Sequence, residues 1–198
     1  MIHPHTELRL VNPEIGHGVF ATALIPQGTV VWVQDALDRE ISPDEVARFA
    51  PELQERLSKY CYRNNAGHYV LCWDHNRYIN HSFTSNCMMT AYHMELAVRD
   101  IQPGEELTDD YGYLNIVEPF EAFDEGHSRK IVFPDDLERL HPEWDSKLEI
   151  AFRKILAVEQ PLHDLIADPL WEELTRVAEG HEPARSIHDC FFNSSSKD

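Results

Sequence analysis

Glu105-Glu106-Leu107-Thr108-Asp109-Asp110-Tyr111-Gly112-Tyr113 is the stretch on which the fold turns. It reads as a strand running into two tyrosines held apart by glycine. Taken alone, two phenols around a flexible point are open to a plain reading as packed aromatics. Upstream, Arg77-Tyr78-Ile79-Asn80-His81-Ser82, followed by Asn86-Cys87, sets several local hydrogen-bonders beside an aromatic and an aliphatic anchor, an unusual make-up for a surface loop. Further back lies Gly16-His17-Gly18-Val19-Phe20-Ala21. Two glycines around one residue let backbone amides and carbonyls approach a ligand before a strand begins, although an isolated Gly-x-Gly is more often a turn.

Around these segments the chain reads as short strands. Leu8 to Val11, Gly18 to Thr22, Thr29 to Val33, Tyr69 to Cys72, Cys87 to Ala91, Glu95 to Val98 and Glu106 to Thr108 are rich in β-branched, aromatic and aliphatic residues. Ile25-Pro26-Gln27-Gly28 and Gln102-Pro103-Gly104-Glu105 carry the Pro and Gly of chain reversals. One helical insert is expected over about 42–60: Ser42-Pro43-Asp44-Glu45 has the form of a capping box, an apolar stripe runs from Val46 to Leu57, and Pro51 should kink or split it. Beyond about residue 134 the period becomes helical. Trp144, Leu148, Ala151, Phe152 and Ile155 form one stripe, and Leu170, Trp171, Leu174, Val177 and Ala178 another. Both are read as core packing. The polar run from Asn193 to Asp198 is expected to be disordered.

In their order, the three segments resemble the SET domain. That family is recognised by a Gly-x-Gly turn, an Asn-His-Ser segment ending some residues later in Asn-Cys, and a Glu-Leu-Thr strand leading into Asp-Tyr-Gly-Tyr. The resemblance covers roughly residues 6–115, with 116–192 as a helical C-terminal extension. It implies a mainly β, β-clip-like fold of small antiparallel sheets, in which the Asn-His-Ser and Asp-Tyr-Gly-Tyr segments cross in a knot-like arrangement, rare among proteins. It also implies a protein-lysine methyltransferase using S-adenosylmethionine and releasing S-adenosylhomocysteine. By the same resemblance Gly16, His17, Gly18, Tyr78, Asn80 and His81 would bind the cofactor and Tyr111 would be the catalytic tyrosine. Tyr113 is expected as a wall of the lysine channel. Asp109 stands two residues before the catalytic tyrosine, at a channel position where relatives often carry a hydrophobic or aromatic residue that helps set the number of methyls added. The cysteine-rich zinc segments that flank the domain in many relatives are missing, so no structural metal is expected. Phe120, Phe123 or the later helices would then have to cover the cofactor.

Composition narrows the partners. The 198 residues carry 17 Lys+Arg against 35 Asp+Glu, a formal net charge of −18 spread over both parts of the chain. Such a charge repels phosphate backbones and attracts basic proteins, so direct nucleic-acid binding is not expected and a basic substrate is. No basic segment leads into an apolar stretch at the N-terminus, and no run approaches the ~20 apolar residues of a membrane helix; a cytoplasmic protein is expected, with a nuclear one open for a eukaryotic source. Cys61, Cys72, Cys87 and Cys190 show no paired spacing. Two competing readings stand beside the enzyme: a SET-fold module that has lost transfer and binds basic peptides, and, further behind, a hydrolase built on Cys87 and His81.

Overall fold

The computed structural model describes residues 1–193; the disorder expected for 194–198 concerns residues outside that span. The chain opens with strands β1 (Thr6–Asn12) and β2 (Gly16–Ala21), antiparallel with Thr6 opposite Ala21. Asn12 makes the reversal, its side-chain oxygen accepting the Glu14 and Ile15 backbone N–H groups at 2.9 and 2.8 Å, the ordinary role of Asn in a turn. Strands β3 (Val30–Val33) and β4 (Arg39–Ile41) follow. The insert is two helices, α1 (Pro43–Val46) and α2 (Pro51–Tyr60). Ser42 caps the first through its side chain, and Pro51, unable to donate an N–H, opens the second.

Next come β5 (Cys61–Arg63), β6 (Tyr69–Leu71), the two-residue β7 (Asn80–His81), β8 (Cys87–Met89), β9 (Met94–Ala97) and β10 (Glu106–Asp109). A small hairpin of β11 (Phe120–Glu121) and β12 (Ile131–Val132) leads to α3 (Asp136–Phe152) and α4 (Asp168–Ala178). The strands form small sheets ordered β1-β2-β10-β7, β3-β9-β8 and β4-β6-β5. All pairings are antiparallel except β10 with β7. This is the mainly β architecture of small sheets expected of a SET domain, followed by a helical extension.

The β3-β9-β8 sheet explains the packing. Every residue of its three strands is buried, because both faces are covered. Val30, Met88, Met94 and Leu96 belong to one apolar core together with Leu137, Trp144, Leu148, Phe152 and Leu174 from the extension. Val31, Trp32, Cys87 and Ala97 belong to a second with Val19, Ile79 and Leu107. The extension is therefore packed into the same core as the sheets. At ~1.5–3 kcal/mol for each large apolar side chain removed from water, that shared face outweighs any surface contact.

Five strands lie outside the sequence expectations, β4, β5, β7, β11 and β12, each of two or three residues. Arg39–Ile41 and Cys61–Arg63 flank the insert and pair with the two edges of β6. Three residues are too few for a period-2 pattern to show.

Candidate functional site

Parallel pairing of β7 and β10 sets Asn80 opposite Thr108 and His81 opposite Asp109. Side chains then stitch the two segments. Asn86 is 1% exposed; its carbonyl oxygen accepts the Thr108 N–H at 2.9 Å while its amide donates to the Glu106 carbonyl at 2.7 Å. The Ser82 N–H donates to the Asp109 carbonyl at 2.8 Å. Asn and Ser at these points serve as joints between chain segments, as buried polar groups require partners.

Gly18 lets β2 approach this joint. A Cβ there would overlap the Glu106 carboxylate and stand 2.9 Å from Asn80 Nδ2. Asn80 donates to the His17 carbonyl at 3.1 Å and to Glu106 Oε1 at 2.7 Å. Gly16 has φ of +91°, which favours glycine, and nothing stands within 4 Å of a Cβ built on it. The His17 ring meets Tyr78 edge-on with centroids 6.3 Å apart, and Tyr78 meets Tyr60 at 5.5 Å.

His81 is held by its neighbours. The Tyr111 N–H donates to Nδ1 at 3.1 Å, so Nδ1 is unprotonated and Nε2 bears the hydrogen. Burial lowers the imidazole pKa and keeps it neutral. Nε2 is buried without a partner, a donor in want of an acceptor. Phe83, Tyr111 and Phe120 surround the ring at centroid distances of 4.4, 5.3 and 5.7 Å. The Tyr111 hydroxyl donates to the Ile79 carbonyl at 2.9 Å. Burial, helped by the nearby Asp109 and Glu106 charges, raises its pKa, so the phenol stays protonated at neutral pH.

After β10 the chain makes a tight turn over Tyr111–Tyr113, capped by the Asp110 side chain, which accepts the Gly112 N–H at 2.9 Å. Arg129, from the hairpin region, ion-pairs with Asp110 and, at 2.6 Å, with Asp136 at the start of α3. Both carboxylates are 2% exposed at the side chain. The Glu125 side chain accepts from Ser82 Oγ at 2.9 Å and from the Phe83 N–H at 3.1 Å.

Much of this opens on one cleft of about 1280 Å³. Gly16, His17, Tyr78, Asn80, His81, Asp109 and Tyr111 line it, as do Phe120 and Phe123. Tyr113 does not. It is 0% exposed, packs edge-on against Trp144 at 5.2 Å, accepts the Asp110 N–H at 2.8 Å and donates to Asp109 Oδ1 at 2.8 Å. The expectation of Tyr113 as a channel wall is corrected accordingly: it is a core residue that fixes the Asp109 carboxylate. Cys87 is likewise 0% exposed, and burial pushes its thiol pKa well up. It is no nucleophile, which removes the Cys87–His81 hydrolase reading. Residues not singled out from sequence, Asn76, Glu95, Glu106 and Glu125, also face the cleft. Glu95 had a legible signal, an acid inside an otherwise apolar buried strand.

A second cavity of about 280 Å³, lined by Asp145, Leu148, Arg153, Val177 and Arg185 among others, lies against α3 and α4 and touches none of these residues.

Residues 16–112 match the family model of the SET domain. No curated protein sequence matches the chain. Among 211 matching solved chains is a Plasmodium falciparum protein provisionally described as a histone methyltransferase. It is 18% identical with a TM-score of 0.41, and the match covers 56% of this chain and 95% of that one.

Proposed function

Since the chain belongs to the SET-domain family of methyltransferases, we propose that its cleft passes a methyl group from S-adenosylmethionine to a lysine of a basic protein. The observation that carries this reading is the pairing of a protonated, anchored Tyr111 hydroxyl with the partnerless Nε2–H of His81 in one cleft. The donor set suits the cofactor. His81 Nε2–H offers a hydrogen bond to a carboxylate or ring nitrogen, the open space at Gly16 admits a ligand against backbone, and Tyr78 supplies an aromatic wall. At about 1280 Å³ the cleft exceeds the ~300–1,000 Å³ of ordinary ligand pockets, leaving room for a cofactor and an entering side chain.

Gly16, His17, Asn80 and His81 hold the cofactor in this reading, Gly18 lets β2 lie close enough to Asn80 for them to do so, and Phe120 and Phe123 cover it. S-adenosylmethionine would supply a methyl carbon bound to positively charged sulfur. The contribution of the chain is alignment and exclusion of water. Tyr111, fixed by the Ile79 carbonyl, orients the reacting groups; its raised pKa rules it out as a base at neutral pH. Exposed Glu14, Glu55, Glu118 and Glu125 on the cleft lining favour a substrate rich in lysine and arginine.

The test is incubation of the protein with methyl-labelled S-adenosylmethionine and a mixture of basic proteins, beside Tyr111→Phe. Label in lysine that falls by at least a hundredfold with the variant supports the reading. Cofactor binding without transfer to any basic protein favours a binding module instead, and failure to bind the cofactor refutes the methyltransferase reading.

A further inference from the structure

The cleft has a polar floor that the mechanism above does not use. Asn76, Glu95 and Asp109 all line it, at 7%, 4% and 4% exposure. Asn76 Nδ2 donates to Glu95 Oε1 at 3.3 Å. Glu95 Oε2 and Asn76 Oδ1 are buried with no partner at all, which costs stability unless a ligand compensates. Asp109 is held from behind by the Tyr113 hydroxyl. A cation bearing several N–H groups satisfies such a set, and an alkylammonium brings three.

Resting on the reading of the cleft as a lysine methyl-transfer site, we propose that Asn76, Glu95 and Asp109 seat the ammonium of the target lysine, and that Asp109 accepts its proton. The proton moves from nitrogen to a carboxylate oxygen of Asp109, and the N–H bonding pair stays on nitrogen as the lone pair that attack requires. The alkylated product regains the positive charge, and Asp109 returns its proton to solvent. Burial supports the role: it raises Asp109 to about 7 and Glu95 well above the usual carboxylate range. Asp109 therefore changes charge near neutrality instead of standing as a fixed anion beside Glu95. Free lysine, near ~10.4, is still the stronger base, and desolvation in the cleft must close that gap. The groups facing Asp109 are Glu95 from β9, Cys87 from β8, His81 from β7, and Asp110, Tyr111 and Tyr113 from its own segment. Among them His81 has its pKa lowered by burial, which keeps its imidazole neutral.

Two measurements decide the matter. In the first, the Asp109 carboxyl carbon of the ¹³C-labelled wild-type protein is titrated by NMR with and without n-butylammonium chloride. A seat lowers the midpoint by about one pH unit, a tenfold change in proton affinity, because a bound cation favours the carboxylate; an unchanged midpoint overturns the seat. This readout needs neither turnover nor a variant. It therefore stands even if no methyl transfer is found, an outcome that would sink the methyltransferase reading alone. In the second, Asp109→Asn is compared with wild type in transfer. Proton acceptance predicts at least a hundredfold lower kcat, unchanged cofactor affinity, and loss of the rise in kcat/KM through about pH 7. Activity within twofold of wild type, with the same pH profile, overturns it.

Discussion

Asp109→Asn should make this protein more stable, and increasingly so as pH rises. The carboxyl is 4% exposed, and burial lifts its pKa from 3.8 to about 7. A raised carboxyl pKa means the folded state holds a proton that the unfolded chain has lost throughout that interval. The contribution is thus fully present below pH 3.8 and is lost as pH climbs through about 7. At about 1.36 kcal/mol per unit, the shift amounts to ~4 kcal/mol at alkaline pH. Asparagine keeps an oxygen for the Tyr113 hydroxyl and cannot ionise. The stability difference between variant and wild type should therefore widen by about 3 kcal/mol between pH 5 and pH 8. Urea unfolding of both proteins at several pH values measures it. The difference matters more than either curve, because buried His3, lowered to about 4, and His81, also lowered, gain stability as pH rises and mask the Asp109 effect in wild type. A difference that stays flat from pH 5 to 8, or a variant less stable than wild type at pH 8, would refute the argument. The expected gain is the counterpart of a site that keeps an ionisable group buried for use.

Gly18→Ala should weaken cofactor binding at least tenfold by calorimetry, since its methyl would overlap Glu106 and crowd Asn80. Arg129→Met strands the Asp110 carboxylate, 2% exposed, and leaves Asp136 with Arg139 as its one ion-pair partner among the described residues; a loss of about 3–5 kcal/mol in denaturant titration is expected for a broken buried pair. Trp144→Ala, at 3% exposure against Tyr113, should cost about 3–5 kcal/mol in the same assay. Raising salt from about 50 to 300 mM should increase KM for a basic protein more than kcat, as screening shortens the reach of a net charge of −18.

The residues of Gly16–Gly18, Asn80–His81 and Tyr111 were legible in sequence because each rests on a backbone feature that a short motif specifies: a close approach, a two-residue strand, a capped turn. Tyr113 was not. In sequence it mirrors Tyr111 around Gly112, but the turn carrying both is a 3-10 turn, where residues two apart point in quite different directions. One tyrosine therefore faces the cleft while the other faces Trp144, an α3 residue far along the chain that no local pattern announces. Strands β4 and β5 escaped for a related reason: they exist only because β6 lies between them.

The misplaced tyrosine shows how the extension reaches the site. The Tyr113 ring is fixed by Trp144, its hydroxyl holds Asp109, and Arg129 ties the Asp110 cap of the same turn to the first residue of α3. Two independent contacts therefore run from the extension to the turn that presents Tyr111. A domain whose Tyr111 turn is braced from downstream should not keep that turn in place once α3 is gone. The helices that the sequence presented as simple amphipathic packing are, in this fold, the support on which the acid and the phenol of the cleft both depend.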